Sequence, residues 1–312
     1  MSMRITHPGI LSLLQDNGRL GQHRLGLSSG GPLDSEAFYL CNRLLQNPNG
    51  STAIEISAGG LQLLCTADTW ICLTGASMPL SVNGKEHDNW TVHRVREGDA
   101  ITVGFSRAGV RAYLGVAGGF SIAPSFGSTA TVVREGIGGL QGKALNTGDS
   151  LPHPVLKACK SLFLPARERP RYLNSLTVRV IPGYQQRIFS RIAKRRFFGA
   201  PYTVSERCDR MGYRMQGPAI NCAIGGILSE GICPGAIQVP PDGQPIILLN
   251  DRQTIGGYPK LGAALSTDVA RLTQLTAGAK VHFAPITTHT ARRALRLSAL
   301  RLLKLPLEER RD

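Results

Sequence analysis

Trp70-Ile71-Cys72-Leu73, then Val82-Asn83-Gly84-Lys85, then Ala100-Ile101-Thr102-Val103 set the character of the chain between residues 70 and 103. Two apolar, β-rich runs flank an Asn-Gly pair, and a type I′ hairpin turn needs positive φ at both central positions, which Asn and Gly tolerate. The same style continues on either side. Ala53-Ile54-Glu55-Ile56, Leu61-Gln62-Leu63-Leu64 and Arg111-Ala112-Tyr113-Leu114-Gly115-Val116 are further short apolar segments divided by Gly, and they read as strands. It resumes in Leu176 to Ile181, in Ala236-Ile237-Gln238-Val239 and in Pro245 to Leu249. With 36 Gly, 19 Pro and only 6% aromatic residues in 312, short elements and many turns are expected rather than a helical bundle. The expected fold class is mainly β, a β-rich α+β chain.

Three helices stand out against this background. Asp34 can cap one, with Ala37, Leu40, Cys41, Leu44 and Leu45 as its apolar stripe and Asn47-Pro48 as its stop. A short one, capped by Thr267 or Asp268, is expected over Val269 to Leu275, and Ala291 to Lys304 alternates Leu and Ala with basic residues as an amphipathic helix does. Leu151 to Asn174 holds four prolines and suits a connector. The expected division is an N-terminal β-rich lobe (1–152), a connector (153–174), a C-terminal β-rich lobe (175–286) and a basic amphipathic helix (287–312). Glu97-Gly98-Asp99, Thr147-Gly148-Asp149 and Ala277-Gly278-Ala279 each place a Gly turn before an expected strand, a small echo between the halves.

The net charge of +15 is localised. Lys157 to Arg214 holds fourteen basic residues against three acidic ones, and Thr287 to Asp312 seven against three, so the rest of the chain is neutral. Lys194-Arg195-Arg196-Phe197-Phe198 has the composition of a nucleic-acid footprint, but no helix-turn-helix, zinc-finger, RRM or KH pattern accompanies it. A solvated helix face or a docking surface for an acidic partner subunit is the favoured reading, and no nucleic acid is expected. No apolar run approaches the ~20 residues of a membrane span, and no membrane partner is expected. His7-Pro8-Gly9 interrupts any signal-peptide core. Seven Cys without a C-x-x-C pair and seven scattered His point to no disulfide framework and no metal site, and a cytoplasmic location is expected.

Gly26-Leu27-Ser28-Ser29-Gly30 matches the G-x-S-x-G nucleophile elbow, yet no buried strand precedes it and no helix follows at once. Gly138-Gly139-Leu140-Gln141-Gly142-Lys143-Ala144 looks like a P-loop with its first Gly one position out and Ala in place of the Mg²⁺-binding Ser/Thr, so a standard nucleotide loop is not supported. The densest chemistry lies in Ser229 to Gln244 and in Asn250-Asp251-Arg252-Gln253-Thr254-Ile255-Gly256-Gly257-Tyr258-Pro259-Lys260. An acid, a cation, an amide and a hydroxyl on consecutive residues lead into a Gly-Gly turn that permits close approach of a ligand. Asp251 could act as base or orienter, and Arg252 or Lys260 could hold an anion. The alternative is a β-turn with a satisfied Asp-Arg pair.

Several stretches together resemble one family. Gln15-Asp16-Asn17-Gly18-Arg19, Gly30-Gly31-Pro32-Leu33-Asp34, Leu114 to Gly119, Gly136 to Gly142, Asp209-Arg210-Met211-Gly212-Tyr213-Arg214, Gln238 and Asp251 to Lys260 are similar, in order, to the biotin-dependent carboxyltransferase / allophanate hydrolase subunit 2 family, and most to its branch of C-type 5-oxoprolinase subunits. The resemblance implies two β-barrel lobes, cyclophilin-like in part. It implies an enzyme subunit that acts with a B-type subunit to phosphorylate 5-oxo-L-proline, an A-type subunit then completing hydrolysis to L-glutamate. ATP with Mg²⁺, shared with the partner subunit, is the implied cofactor. The implied catalytic residues are Asp251, Lys260, Gln253 and Thr254, with Tyr258, Gly256, Gly257, Arg210, Tyr213, Arg214 and Gln238 binding a small amide substrate. Arg210, Arg214 and Lys260 are expected to hold developing phosphate charge. Relatives in the same family carry a carboxyl group from biotin to urea, and another antagonises a kinase inhibitor as a non-catalytic partner. No Met adjoins any Lys, so covalently attached biotin is not expected.

Overall fold

Alternating burial along Leu61–Cys65 and Ser175–Pro182 is what a half-buried strand requires, and every segment read as a strand forms one. The computed structural model describes residues 1–154 and 159–310. Residues 155–158, inside the expected connector, and 311–312, at the end of the expected basic helix, lie outside the described residues. The chain is mostly β, with one closed barrel and four α-helices: α1 (Ser35–Leu44), α2 (Arg191–Gly199), α3 (Ser266–Leu272) and α4 (Thr288–Lys304).

Two compact units form. The first comprises Met1–Leu20, Gly30–Tyr172 and Lys304–Asp312; the second comprises Gly21–Ser29 and Leu173–Leu303. This partition departs from the expected linear segments. Residues after 152 stay with the first unit because Leu162–Phe163 pairs antiparallel with Glu308–Glu309, the Leu164 N–H reaches the Trp90 carbonyl at 2.8 Å and the Tyr172 hydroxyl donates to Asp34 at 2.9 Å.

In the first unit a six-stranded sheet runs, edge to edge, Ser150–Pro152, Ser2–Pro8, Leu61–Cys65, Ala100–Val103, Leu80–Val82 and Lys85–His87. A five-stranded sheet runs Leu11–Gln15, Ala53–Ser57, Ala108–Val116, Thr69–Ser77 and Val92–Val95. Met3, Ile5, Leu63 and Ile101 from one sheet and Leu14, Ile56, Leu73 and Leu114 from the other share a single buried core. The expected hairpin turn is present, with Asn83 at φ 51° and Gly84 at φ 79°. Helix α1 begins as expected, the Asp34 carboxylate accepting the Ala37 N–H at 3.1 Å. Beneath it the buried Tyr113 hydroxyl donates to Glu55 at 2.7 Å and accepts the Asp34 N–H at 2.8 Å.

The second unit is a closed seven-stranded barrel in the order Ser175–Pro182, Lys260–Ala264, Ala236–Gln238, Ile246–Leu248, Gly212–Gln216, Tyr202–Cys208 and Lys280–Pro285. It closes where the first and last strands in the chain pair in parallel, Ser175 opposite Lys280 through Val180 opposite Pro285. Helix α2 carries the basic block, and its aromatic pair serves the core: Phe197 is fully buried, stacks on Phe283 at 4.3 Å and meets Phe198 edge-on. Helix α3 starts at Ser266, earlier than expected, and neither Thr267 nor Asp268 caps it. Asp268 is instead drawn to Arg179, accepting from its backbone N–H and guanidinium at 2.6–2.8 Å. Helix α4 ends at Lys304, short of the expected span to 312, because Pro306 precedes the two-residue strand Glu308–Glu309; of its side chains only Ala291 is buried, and Leu297, Leu300 and Leu303 are exposed.

Candidate functional site

The Asn250-to-Lys260 segment lies wholly in the barrel unit, between the Ile246–Leu248 and Lys260–Ala264 strands. Ile255–Gly256 within it forms a two-stranded ribbon with Glu230–Gly231, so the two chemically dense stretches lie side by side, Glu230 opposite Gly256. The ribbon separates two cavities. One, of about 390 Å³, is lined by Lys260, Glu230, Tyr184, Gln185, Gly183 and Cys233 among others. The second, of about 290 Å³, is lined by Gln238, Arg252, Gln253, Arg214, Ile232 and Leu248 among others.

At the larger cavity the Lys260 ammonium is ion-paired with Glu230 and reaches the Gly231 carbonyl at 3.3 Å. The Tyr184 hydroxyl donates to the other Glu230 oxygen, and the Gln185 amide donates to Glu230 at 2.7 Å while accepting the Lys260 backbone N–H at 2.7 Å. Lys260, and after it Tyr184, hold the Glu230 carboxyl below the usual range. Glu230 lies inside a stretch dense in chemistry, but nothing in the sequence marks it as the partner of Lys260. Tyr184 and Gln185 carry no sequence signal, because the first barrel strand brings them to the cavity from far along the chain.

Asp251 is buried and forms a bidentate pair with Arg210, Nε to Oδ2 at 2.8 Å and Nη2 to Oδ1 at 2.9 Å. The satisfied Asp-Arg pair considered for this turn therefore exists, with the partner supplied by the loop before the Gly212–Gln216 strand rather than by Arg252. Arg214 is ion-paired with Asp242. All three cations expected to be available for phosphate charge, Arg210, Arg214 and Lys260, thus already face a carboxylate. Tyr213 is 1% exposed and its hydroxyl donates to the Thr273 carbonyl at 3.1 Å, which makes it a barrel-wall residue and not a ligand-facing one. Gln253 is exposed at the smaller cavity, and the Thr254 carbonyl accepts the Ile232 N–H at 3.0 Å. Gly257 accepts the Ile227 N–H at 2.8 Å, and Tyr258 presents its ring to solvent, 43% exposed. Gly256 lies against Gln238.

The two tempting motifs have structural roles. Ser28 is buried and its Oγ donates to the Arg252 carbonyl at 2.8 Å, so it supports the site turn rather than acting as an exposed nucleophile. Gly138, Gly139 and Gly142 all have positive φ, and a Cβ on each would lie 1.9 Å from the Ala130 oxygen, 2.2 Å from Thr131 Oγ1 and 1.9 Å from the Gly136 carbonyl carbon, respectively. Protein atoms occupy the space a phosphate would need. Among the described residues no cluster of three or more His, Cys, Asp or Glu could hold a metal, no helix is long and apolar enough to cross a membrane, and all seven cysteines are free.

Comparison with known proteins agrees with this architecture. The chain is 35% identical over 295 residues to the C-type subunit of 5-oxoprolinase from Escherichia coli, covering 94% of each. It is 27% identical over 311 residues to urea amidolyase of Saccharomyces cerevisiae, of which it spans 17%. The crystal structure of K. lactis urea amidolyase superposes with a TM-score of 0.91 at 25% identity, covering 98% of this chain and 20% of that one. The family described as carboxyltransferase domain, subdomain A and B, matches residues 25–285. A match over most of the chain, on a fold shared from end to end with a solved relative, means that this protein belongs to the carboxyltransferase domain, subdomain A and B, family.

Proposed function

We propose that the chain is a component of an ATP-dependent 5-oxoprolinase, acting with a B-type subunit to phosphorylate 5-oxo-L-proline, which an A-type subunit hydrolyses to L-glutamate. The observation that carries this reading is the 35% identity to the E. coli C-type subunit over 94% of both chains, with no large region of either left over. The larger cavity supports it chemically. Lys260, Glu230 and Tyr184 form a charged, hydrogen-bonded group beside a Gly-lined wall, suited to a small polar amide. A substrate oxygen that takes the place of one Glu230 oxygen gains the Lys260 ammonium as its partner, and Tyr184 or Glu230 can hold or accept a proton at the amide. Asp251 acts as an orienter, fixing Arg210 and the turn that presents Gln253, Thr254, Gly256, Gly257 and Tyr258.

ATP with Mg²⁺ belongs to this proposal as a component of the assembled enzyme. The residues here do not make a triphosphate site by themselves: Arg210, Arg214 and Lys260 each face a carboxylate, and the Gly138–Gly142 turn is filled by its own backbone. The likeness to urea amidolyase gives a second reading, transfer of a carboxyl group to a small amide from biotin on a separate carrier. The test is reconstitution of this chain with the B- and A-type subunits, with glutamate and ADP assayed from 5-oxo-L-proline and ATP and each component omitted in turn. Loss of glutamate when this chain is left out supports the reading; undiminished glutamate without it removes the chain from the reaction.

A further inference from the structure

The cations of the barrel divide into matched and unmatched. Arg179, Arg210, Arg214 and Lys260 each meet an acid. Arg252 does not. It is 1% exposed, donates from Nε to the Ile232 carbonyl at 3.0 Å and from Nη1 to the Leu249 carbonyl at 3.3 Å, and its buried Nη2 has no hydrogen-bond partner among the described residues. Burial pushes its pKa down, the signature of a charge without compensation. A guanidinium does not lose its proton in a protein, so the orphaned donor is a standing cost unless something accepts from it.

A second orphan lies on the same cavity wall. Gln238 is 6% exposed and its Nε2 is buried and without a partner among the described residues. The rest of the lining has a consistent character. Ile232, Ile246 and Leu248 are apolar and Arg207 adds positive charge. The one acid, Asp209, already accepts the backbone N–H groups of Met211 at 2.7 Å and Gly212 at 3.1 Å. Two buried unsatisfied donors, one of them charged, on one small cavity form a receptor for a planar anion.

We infer that this 290 Å³ cavity is a carboxylate-binding site in which Arg252 Nη2 and Gln238 Nε2 donate to the oxygens of a small carboxylic acid whose carbon skeleton packs on Ile232, Ile246 and Leu248. Its volume is at the lower end for ligand pockets and suits a compact acid, not a nucleotide. The occupant named, 5-oxo-L-proline, rests on the proposed function; the carboxylate chemistry does not. Gly256 keeps the site open, since a Cβ there would lie 2.7 Å from Gln238 Nε2 and 2.4 Å from Ile232 Cδ1, both ends of flexible side chains. Gly256→Ala therefore moves the amide without breaking the backbone.

The test is calorimetric titration of the full chain with 5-oxo-L-proline, with cyclopentanecarboxylate, with 2-pyrrolidinone (the same lactam without its carboxylate) and with inorganic phosphate. Both acids bind, 2-pyrrolidinone binds at least about tenfold more weakly, and Gln238→Leu, Gly256→Ala and Arg252→Lys each weaken the acids by about tenfold or more, the loss of a hydrogen bond to a charged group. Circular dichroism and thermal melting of Gln238→Leu and Gly256→Ala confirm an intact fold, so the result does not depend on Arg252→Lys alone. Equal binding of 2-pyrrolidinone, unaltered acid binding by Gln238→Leu and Gly256→Ala, or phosphate binding without either acid overturns the site. Carboxylate binding that these variants abolish, in a chain whose reconstituted complex forms no glutamate, keeps the site and removes the oxoprolinase reading; turnover without variant-sensitive carboxylate binding does the reverse.

Discussion

Arg210 and Asp251 stand forty-one residues apart and meet as a bidentate pair, each side chain 7% exposed. Removing one partner of such a pair leaves a buried charge without its counterion, so Asp251→Asn is expected to destabilise the protein by about 3 kcal/mol in urea unfolding, alongside any loss of turnover. An unchanged unfolding midpoint would mean that the pair does not support the turn. Glu230 gives the pH-dependent counterpart. Its folded pKa lies below the ordinary 4.5, so its contribution to stability is complete above that value and is lost as pH falls through the folded pKa. In ¹³C NMR the Glu230 carboxyl should titrate below 4.5, and Lys260→Met should bring it back toward 4.5; the same midpoint in both proteins would deny the ion pair. Sequence shows that Asp251, Arg252, Gln238 and Lys260 share a chemically dense region. It does not show which acid meets which cation, because Arg210, Glu230 and Asp242 reach their partners through strand pairing rather than through neighbouring positions.

Among the elements, local chemistry is the most legible. The Asn83-Gly84 hairpin and the Asp34 cap of α1 are set by φ preference and by one side-chain oxygen, both written in a few adjacent residues. The start of α3 differs from expectation because Asp268, a good cap by composition, is held by Arg179 from a strand eighty-nine residues away. Helix α2 shows the same override: Lys194-Arg195-Arg196-Phe197-Phe198 has the composition of a nucleic-acid patch, yet its first aromatic is core. Phe197→Ala removes a buried ring stacked on Phe283 and close to Tyr202 at 6.0 Å, and is expected to cost about 3–5 kcal/mol in chemical denaturation. A cost near zero would return Phe197 to the surface and revive the binding-patch reading.

For the whole molecule, a β-rich chain in two units can be anticipated from sequence, while the units' membership cannot. Gly21–Ser29 belongs with the barrel and Lys304–Asp312 with the sheets, and barrel closure depends on a parallel pairing of strands about a hundred residues apart, which no local pattern announces. Function is likewise an assembly property: the family match and the E. coli relative point to a multi-subunit oxoprolinase, while the urea amidolyase likeness points to biotin chemistry on the same fold. The measurement that separates them is turnover by the reconstituted complex with and without avidin, which sequesters biotin, comparing 5-oxo-L-proline with urea plus bicarbonate and a biotin carrier. An oxoprolinase role predicts ATP-dependent glutamate formation from 5-oxo-L-proline, dependent on this chain and indifferent to avidin. Avidin-sensitive carboxylation of urea, with no glutamate formed from 5-oxo-L-proline, would contradict it.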